Sequence, residues 1–552
     1  MTGGTPMKRY LAGTVIGLSM ASSAFGADCN VAGLTPPAGV TLETAEAVAV
    51  GDGFERAHCR FTGRMNDRTG VDGMSYALKF ELRLPDDWNG RFVHQFNGGN
   101  DGEVKPAIGE LNSGYTNDTA LNRGYAVVSS DAGHSGDAFP DAGLAGGARF
   151  GFDPAARAAY GYSAVADLQP VATALTEAYY GQDIAFAYGV GRSNGGRHAM
   201  VAASRMPEAF DGLLVGYPGF NLPRAALQHA LDVQSFRSVD ADLKSAFPRE
   251  DLEFVATAIL AACDGLDGLK DGWIADADRC QDTFDPKAMV CREGQNSDCL
   301  SAAQVAALET IHAGPKAADG SALYSDWAWD AGIASGSWRF WKLESPIPPW
   351  GHKPIIAVMG AASLAQIFTT PPTRVEGSPE ALEQYLMDFD IAAEAEKIFA
   401  TDGSFDQSAM AVMTPPDVDD PTLAEFRDAG GKMLILHGNS DPVFSVQDTA
   451  RWYRKLDENN GGNAGDFVLF YRNPGQPHSM RGPHADGFDM FTPLVNWVEN
   501  GVRPGAINTE VTEDNNEGRA ALGVVGRKLC PYPQVARYTG ADPASSDSFS
   551  CQ

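Results

Sequence analysis

The chain has 552 residues, 44% of them hydrophobic and 20% charged, which is enough apolar surface for a large core and excludes a disordered polymer. Its 71 Asp and Glu against 42 Lys and Arg leave a formal charge of −29, which argues against nucleic acid as a partner because a phosphate backbone would be repelled. At the start, Lys8 and Arg9 precede a mostly apolar run over 11–20 and a small-residue stretch over 21–27. This reads as an export signal over 1–27, cut after Gly26 or Ala27. The apolar run is too short to span a bilayer, so no membrane span is expected once the signal is removed. The expected location is secreted or periplasmic, where disulfides form. Eight cysteines pair by proximity in sequence as Cys29–Cys59, Cys263–Cys280, Cys291–Cys299 and Cys530–Cys551. Eight allow on the order of 100 connectivities, so short loop closure is the sole ground for this choice. No Cys-x-x-Cys or nearby His pair points to zinc.

Residues 28–70 read as a loop-rich entry. Over 75–84 apolar residues alternate (Tyr76, Leu78, Phe80, Leu82, Leu84), which predicts a strand, and 85–90 is a turn. A second strand over 92–96 runs into Asn97-Gly98-Gly99-Asn100-Asp101-Gly102, and a buried strand follows over 124–131. A helix is expected over 162–180. The apolar run 184–188 then leads into Gly191-Arg192-Ser193-Asn194-Gly195, followed by helix-like 198–205 and a strand over 210–218. This alternation predicts a mostly parallel sheet. From 221 to 428 the pattern lapses: four cysteines, six of the nine tryptophans and proline joints such as 346–349 mark an inserted lid domain. Strands resume over 431–438 and 467–471, and 490–500 is a helix. The expected architecture is an α/β-hydrolase fold split as 28–220 and 429–552 around a large lid at 221–428.

Gly-x-Ser-x-Gly between a strand and a helix is the context of a nucleophile elbow, whose glycines let the backbone turn sharply and push the serine out at the sheet edge. Such a sheet carries its acid and its histidine later in the chain, each past a strand. Asp441 follows the strand over 431–438 and His478 the strand over 467–471. Ser193 is therefore the expected nucleophile, His478 its general base and Asp441 the group that orients the imidazole. The N–H of Asn194 and that of Gly98 or Gly99 are the expected oxyanion donors. Three other histidines compete. His437 reads as a packed strand-end residue, His484 lies in a loop six residues past His478, and His134 precedes the serine, the wrong order for this fold.

Together with these motifs, Leu84-Pro85 with Trp88-Asn89-Gly90-Arg91-Phe92, Arg123-Gly124-Tyr125-Ala126-Val127 leading to Asp131 and Gly133-His134, and Ser193-Asn194-Gly195-Gly196-Arg197 carry a resemblance. So do Phe210-Asp211-Gly212, Asp489-Met490 with Leu494-Val495-Asn496-Trp497-Val498-Glu499, and Leu529-Cys530-Pro531-Tyr532-Pro533 with Arg537-Tyr538-Thr539-Gly540. Over nearly the whole mature chain it resembles the tannase and feruloyl esterase family. That resemblance implies a secreted serine carboxylic ester hydrolase with a lid, acting on small-molecule aromatic acid esters of the tannin, feruloyl or terephthalate half-ester type. It also implies the four cysteine pairs given above. Members usually carry one more disulfide, between the residue before the serine and the residue after the histidine. Here those positions are Arg192 and Ser479, so packing and hydrogen bonds involving Arg192 are expected to hold the two loops.

Cys263-Asp264-Gly265-Leu266-Asp267-Gly268-Leu269-Lys270-Asp271-Gly272-Trp273 crowds three carboxylates into eight residues, a donor set suited to Ca²⁺. The resemblance favours a structural Ca²⁺ in the lid, held by the carboxylates of Asp264, Asp267 and Asp271 and the carbonyls of Leu269 and Trp273. Two other readings stand beside the aromatic esterase: a hydrolase of aliphatic esters or polyester oligomers, and a catalytically silent, calcium-stapled binding protein. Arg339 and Arg374 are candidates to bind a substrate carboxylate. Nothing in the sequence sets the oligomeric state.

Overall fold

The computed structural model describes residues 28–552 apart from 52, 116 and 296, so the export signal expected over 1–27 lies outside the described residues. Nine strands form one sheet: β1 (Val40–Val48), β2 (His58–Thr69), β3 (Ser75–Pro85), β4 (Arg91–Phe96), β5 (Ala126–Ser130), β6 (Phe186–Arg192), β7 (Gly212–Gly216), β8 (Lys432–Gly438) and β9 (Val468–Asn473). Their order is β1-β2-β3-β5-β4-β6-β7-β8-β9. The run from β5 to β9 is parallel, and β1, β2 and β3 add an antiparallel edge. The 28–70 stretch is therefore not a loop-rich entry. β1 and β2 escape a pattern search because one face of each is solvated: in β1 only Val40 and Leu42 are buried, among Thr, Glu and Ala.

The helices that position the site are α1 (Ala164–Tyr180), α2 (Asn194–Arg205), α3 (Leu222–Arg237), α4 (Arg249–Cys263), α5 (Gly336–Lys342), α6 (Val446–Asn459) and α7 (Phe491–Asn500). The parallel strands are buried on both faces, which is why Gly212–Gly216 and Lys432–Gly438 are near-continuous apolar runs. The pleat sends Leu213, Val215, Met433 and Ile435 into a core with α2 and α6. It sends Leu214, Leu434 and Leu436 to the opposite face, against Phe491, Leu494 and Trp497 of α7.

Between β7 and β8 the chain contributes helices and turns but no strand to the main sheet. Its large core, with Phe236, Leu252, Ile259, Leu308, Trp338 and Leu364, also takes in Phe150 and Tyr160 from one flank and Val443 and Phe444 from the other. The inserted segment thus shares a core with the sheet-bearing part. All four cysteine pairs are joined as read from spacing: Cys29–Cys59, Cys263–Cys280, Cys291–Cys299 and Cys530–Cys551. No helix among the described residues is long and apolar enough to cross a membrane.

Candidate active site

β6 ends at Arg192 and α2 begins at Asn194, leaving Ser193 alone in the turn at φ 60°, ψ −126°. A left-handed φ at a non-glycine residue costs free energy, and it persists here because neighbouring packing leaves the turn no other course. A Cβ on Gly191 would lie 2.5 Å from the Gly195 backbone, and one on Gly195 2.3 Å from the Phe96 carbonyl oxygen. The two glycines let β6, β4 and the head of α2 approach to these distances.

The three residues singled out by order and loop position come together. Ser193 Oγ lies 2.8 Å from His478 Nε2, and His478 Nδ1 lies 2.7 Å from Asp441 Oδ2. With the proton on Nδ1, the ring donates to the carboxylate and its Nε2 accepts from the serine hydroxyl. Asp441 Oδ1 accepts from the N–H of Val443 at 2.7 Å and of Phe444 at 3.0 Å, which fixes the acid at the end of β8. His437 is a buried strand-end residue, as read, with Nδ1 on Thr449 Oγ1 and Nε2 3.4 Å from Asp441 Oδ2. Burial pushes the Asp441 carboxyl up, but His478 and His437 outweigh it and hold the group well below the ordinary carboxylate range. His134 packs flat on Phe150 with Nε2 against the Asn100 carbonyl, and buried His484 stands apart from this chain of contacts.

The glycine turn after β4 adjoins Ser193: a Cβ on Gly98 would lie 3.8 Å from the Arg192 carbonyl oxygen and 3.9 Å from Ser193 Cβ. Gly99 takes φ 63°, and its carbonyl is 3.4 Å from the Tyr160 hydroxyl. Asn194 opens α2, and first-turn N–H groups of a helix have no intrahelical acceptor.

Arg192 does not reach Ser479. It pairs with Glu110 at 2.5 Å, both side chains partly exposed, and such a pair contributes about 0–1 kcal/mol. Ser479 Oγ instead accepts from the N–H of Arg481. The histidine is held by other means. Tyr217, Trp341 and Phe444 stand edge-on around its ring, with centroids at 4.8, 5.0 and 5.3 Å. The acid and histidine loops bond directly, Asn439 N–H to the Asn473 carbonyl and Ser440 N–H to the Gln476 carbonyl. A buried carboxylate from the segment between β7 and β8, Asp330, ties them again: its Oδ2 accepts from Ser440 Oγ and from Gly475 N–H, the latter at 2.7 Å. Neither Asp330 nor Trp341 was legible as a site residue, since both arrive from the insertion and belong to no motif.

A cavity of about 670 Å³ opens onto Ser193 and His478. Tyr217, Leu222, Trp341, Met359, Phe368 and Phe444 give it an aromatic and apolar wall. Its lysine and arginine side chains are Lys105, paired with Glu103, and Arg192, paired with Glu110. Arg339 and Arg374 do not line it: Arg339 is buried on Glu344 and the Phe247 carbonyl, and Arg374 lies over Phe152.

Away from this cavity, the acidic loop after α4 turns its carboxylates on its own backbone. Asp264 Oδ1 accepts from the N–H of Asp271 and Gly272, Asp267 Oδ1 from Leu269 N–H, and Asp271 Oδ2 lies 2.6 Å from Arg527. Asp267 Oδ2 is buried without a donor, the state a hard cation would relieve. Among the described residues no three acidic, His or Cys side chains converge as a metal cluster, so backbone carbonyls such as those of Leu269 and Trp273 would have to complete the set.

Residues 59–552 match the family model described as tannase and feruloyl esterase. The chain is 36% identical over 533 residues to a mono(2-hydroxyethyl) terephthalate hydrolase of Piscinibacter sakaiensis, covering 92% of this chain and 86% of the relative. It is 29% identical over 487 residues to a probable feruloyl esterase of Arthroderma benhamiae, covering 85% and 81%. Among solved structures, feruloyl esterase B from Aspergillus oryzae superposes with a TM-score of 0.70 at 20% identity, over 94% of this chain and 98% of that one. Tannin acyl hydrolase from Aspergillus niger gives 0.66 at 20% identity, over 94% and 93%, and these two likenesses show the α/β-hydrolase fold.

Proposed function

Because the chain belongs to the tannase and feruloyl esterase family and is a carboxylic ester hydrolase, we propose that it cleaves aromatic acid esters through an acyl-enzyme on Ser193. The observation that carries this reading is the unbroken hydrogen-bond chain Ser193–His478–Asp441 at the floor of an aromatic-walled cavity. Ser193 Oγ attacks the ester carbonyl carbon as its proton passes to His478 Nε2. The charge on the carbonyl oxygen is met by the N–H of Asn194 and of Gly98 or Gly99, each donor being worth about 10²–10³ in rate. Collapse expels the alcohol, which takes the proton from His478. Water, deprotonated by the same nitrogen, then releases the acid and restores the serine.

The cavity wall supports an aromatic acyl group of the galloyl, feruloyl or terephthaloyl kind, with Trp341 and Phe444 as the ring contacts nearest the histidine. A substrate panel tests this: gallate, ferulate and terephthalate half-esters are expected to exceed short aliphatic esters in kcat/KM, and preference for the aliphatic set would overturn it. Ser193→Ala is expected to lower kcat by at least about 10⁴-fold on every ester cleaved.

A structural calcium ion in the 263–273 loop accounts for the unpaired buried oxygen of Asp267. It would be held by the carboxylates of Asp264, Asp267 and Asp271 with the carbonyls of Leu269 and Trp273. When bound it would neutralise these acids and brace the loop. Export through a signal over 1–27 to a secreted or periplasmic location is supported by the four disulfides and the absence of free cysteine among the described residues.

A further inference from the structure

The wall behind Ser193 holds a second buried acid that the Ser193–His478–Asp441 chain does not use. Asp101 sits on the turn after β4 at φ 45°, with its side chain only 3% exposed. Its Oδ1 accepts from Nδ2 of Asn194, the first residue of α2, and its Oδ2 lies 3.4 Å from His198 Nε2, one turn further along that helix. Asn194 Oδ1 in turn accepts from Arg197 Nε at 2.6 Å. Arg197 is fully buried, its Nη1 donating to the Gly161 carbonyl and its Nη2 to the Tyr160 carbonyl, with Nη2 also 3.2 Å from His198 Nε2. A guanidinium this deep requires a nearby anion. Burial keeps His198 neutral by depressing its pKa. Asp101 is the acid whose charge acts on Arg197, and burial lifts its carboxyl to about 7 against the pull of that guanidinium.

The position of this cluster gives it a role. One expected oxyanion donor is the N–H of Asn194, and the other belongs to Gly98 or Gly99. These segments follow adjacent strands, β6 and β4, whose pairing ends at Phe96 and Gly191, so beyond that point contacts between the two turns set the final spacing. Among the described residues, Asp101 makes the only side-chain hydrogen bond from the 97–102 turn to α2. We propose that Asp101 is a positioning residue for the oxyanion hole, fastening the turn to the head of α2 and so setting the spacing of the two N–H donors. The proposal rests on the serine-hydrolase reading above.

Oxyanion donors act on charge that exists only in the transition state, so a misplaced donor lowers kcat and leaves KM nearly unchanged. The experiment measures kcat and KM on a p-nitrophenyl ester, and the inhibition constant of an arylboronic acid, which adds to Ser193 Oγ as a tetrahedral anion. Asp101→Ala is expected to lower kcat about 10- to 100-fold with KM held within about twofold, and to weaken the boronate by the same factor. Asp101→Asn keeps an acceptor for Asn194 and tolerates the left-handed backbone, so it recovers most of kcat. Asn194→Ala, which cuts the same link from the other end, reproduces the loss, and the double variant is no worse than Asp101→Ala. Wild-type kcat and boronate affinity in Asp101→Ala, a loss confined to KM, or additive losses in the double variant would overturn the proposal. If Asp101→Ala does not fold, Asn194→Ala decides alone by the same two readouts. An active Ser193→Ala would remove the reading beneath the proposal. An inactive Ser193→Ala beside an unimpaired Asp101→Ala removes the proposal only.

Discussion

Asp441 keeps its charge where almost no water reaches it. It can do so because its two oxygens meet the N–H groups of Val443 and Phe444 and the ring of His478, with His437 close by. The charge serves the histidine: it favours the tautomer with a proton on Nδ1, leaving Nε2 free to accept from Ser193. Asp441→Asn preserves shape but not this preference, and is expected to lower kcat about 10³–10⁴-fold with little change in KM. The same group makes stability depend on pH. Its folded pKa lies below the ordinary value, so its contribution is present above that value and is lost as pH falls through the acid range. Between about pH 5 and pH 3 the wild type should lose more stability, read as a urea midpoint, than Asp441→Asn loses. Equal losses would mean that the carboxylate is not held in its charged form.

The segment inserted between β7 and β8 reaches His478 and the loop after β8 from behind. Trp341, on α5, closes one side of the His478 ring, and Asp330, a few residues earlier, bonds the acid loop and the histidine loop together. The fit is close: a Cβ on Gly332 would lie 2.3 Å from Ser440 Oγ and 2.5 Å from the Gly475 carbonyl oxygen. These contacts stand where a covalent tie to the histidine loop is missing, and the Arg192–Glu110 pair does not share in the task. Asp330→Ala is expected to lower kcat about 10- to 100-fold by loosening His478, while Asp330→Asn, which retains an acceptor oxygen for both donors, stays near wild type. If both variants fall equally, or neither falls, the clamp has no catalytic consequence. At the 263–273 loop, chelation should lower the melting temperature and added Ca²⁺ restore it, with kcat at moderate temperature unchanged because the loop lies away from the cavity. A melting temperature indifferent to chelator and to Ca²⁺ would argue against a structural ion there.

At the scale of the whole molecule, what was legible in the sequence is what a parallel sheet enforces. Its strands are buried on both faces and so read as apolar runs, and such a sheet presents reactive side chains on the loops just past its strand ends, which is how Ser193, Asp441 and His478 could be picked in order from far-apart segments. The edge was not legible, because β1 and β2 present Thr, Glu and Arg to solvent and bury only alternate residues. The clamps were not legible either. Asp330 and Asp101 are single acids without a motif, and only folding brings them to Ser440 and Asn194. The six tryptophans of the 221–428 segment were visible, but not that Trp341 among them would face His478. In the proposed mechanism the acyl carbon of the ester becomes bonded to Ser193 Oγ. Acid-quenched mass spectrometry during turnover of a slow aryl ester tests it most directly. The expected result is an acyl mass on the peptide containing Ser193 that vanishes in Ser193→Ala together with activity. An adduct on another residue, or no adduct beside a fully active Ser193→Ala, would contradict it.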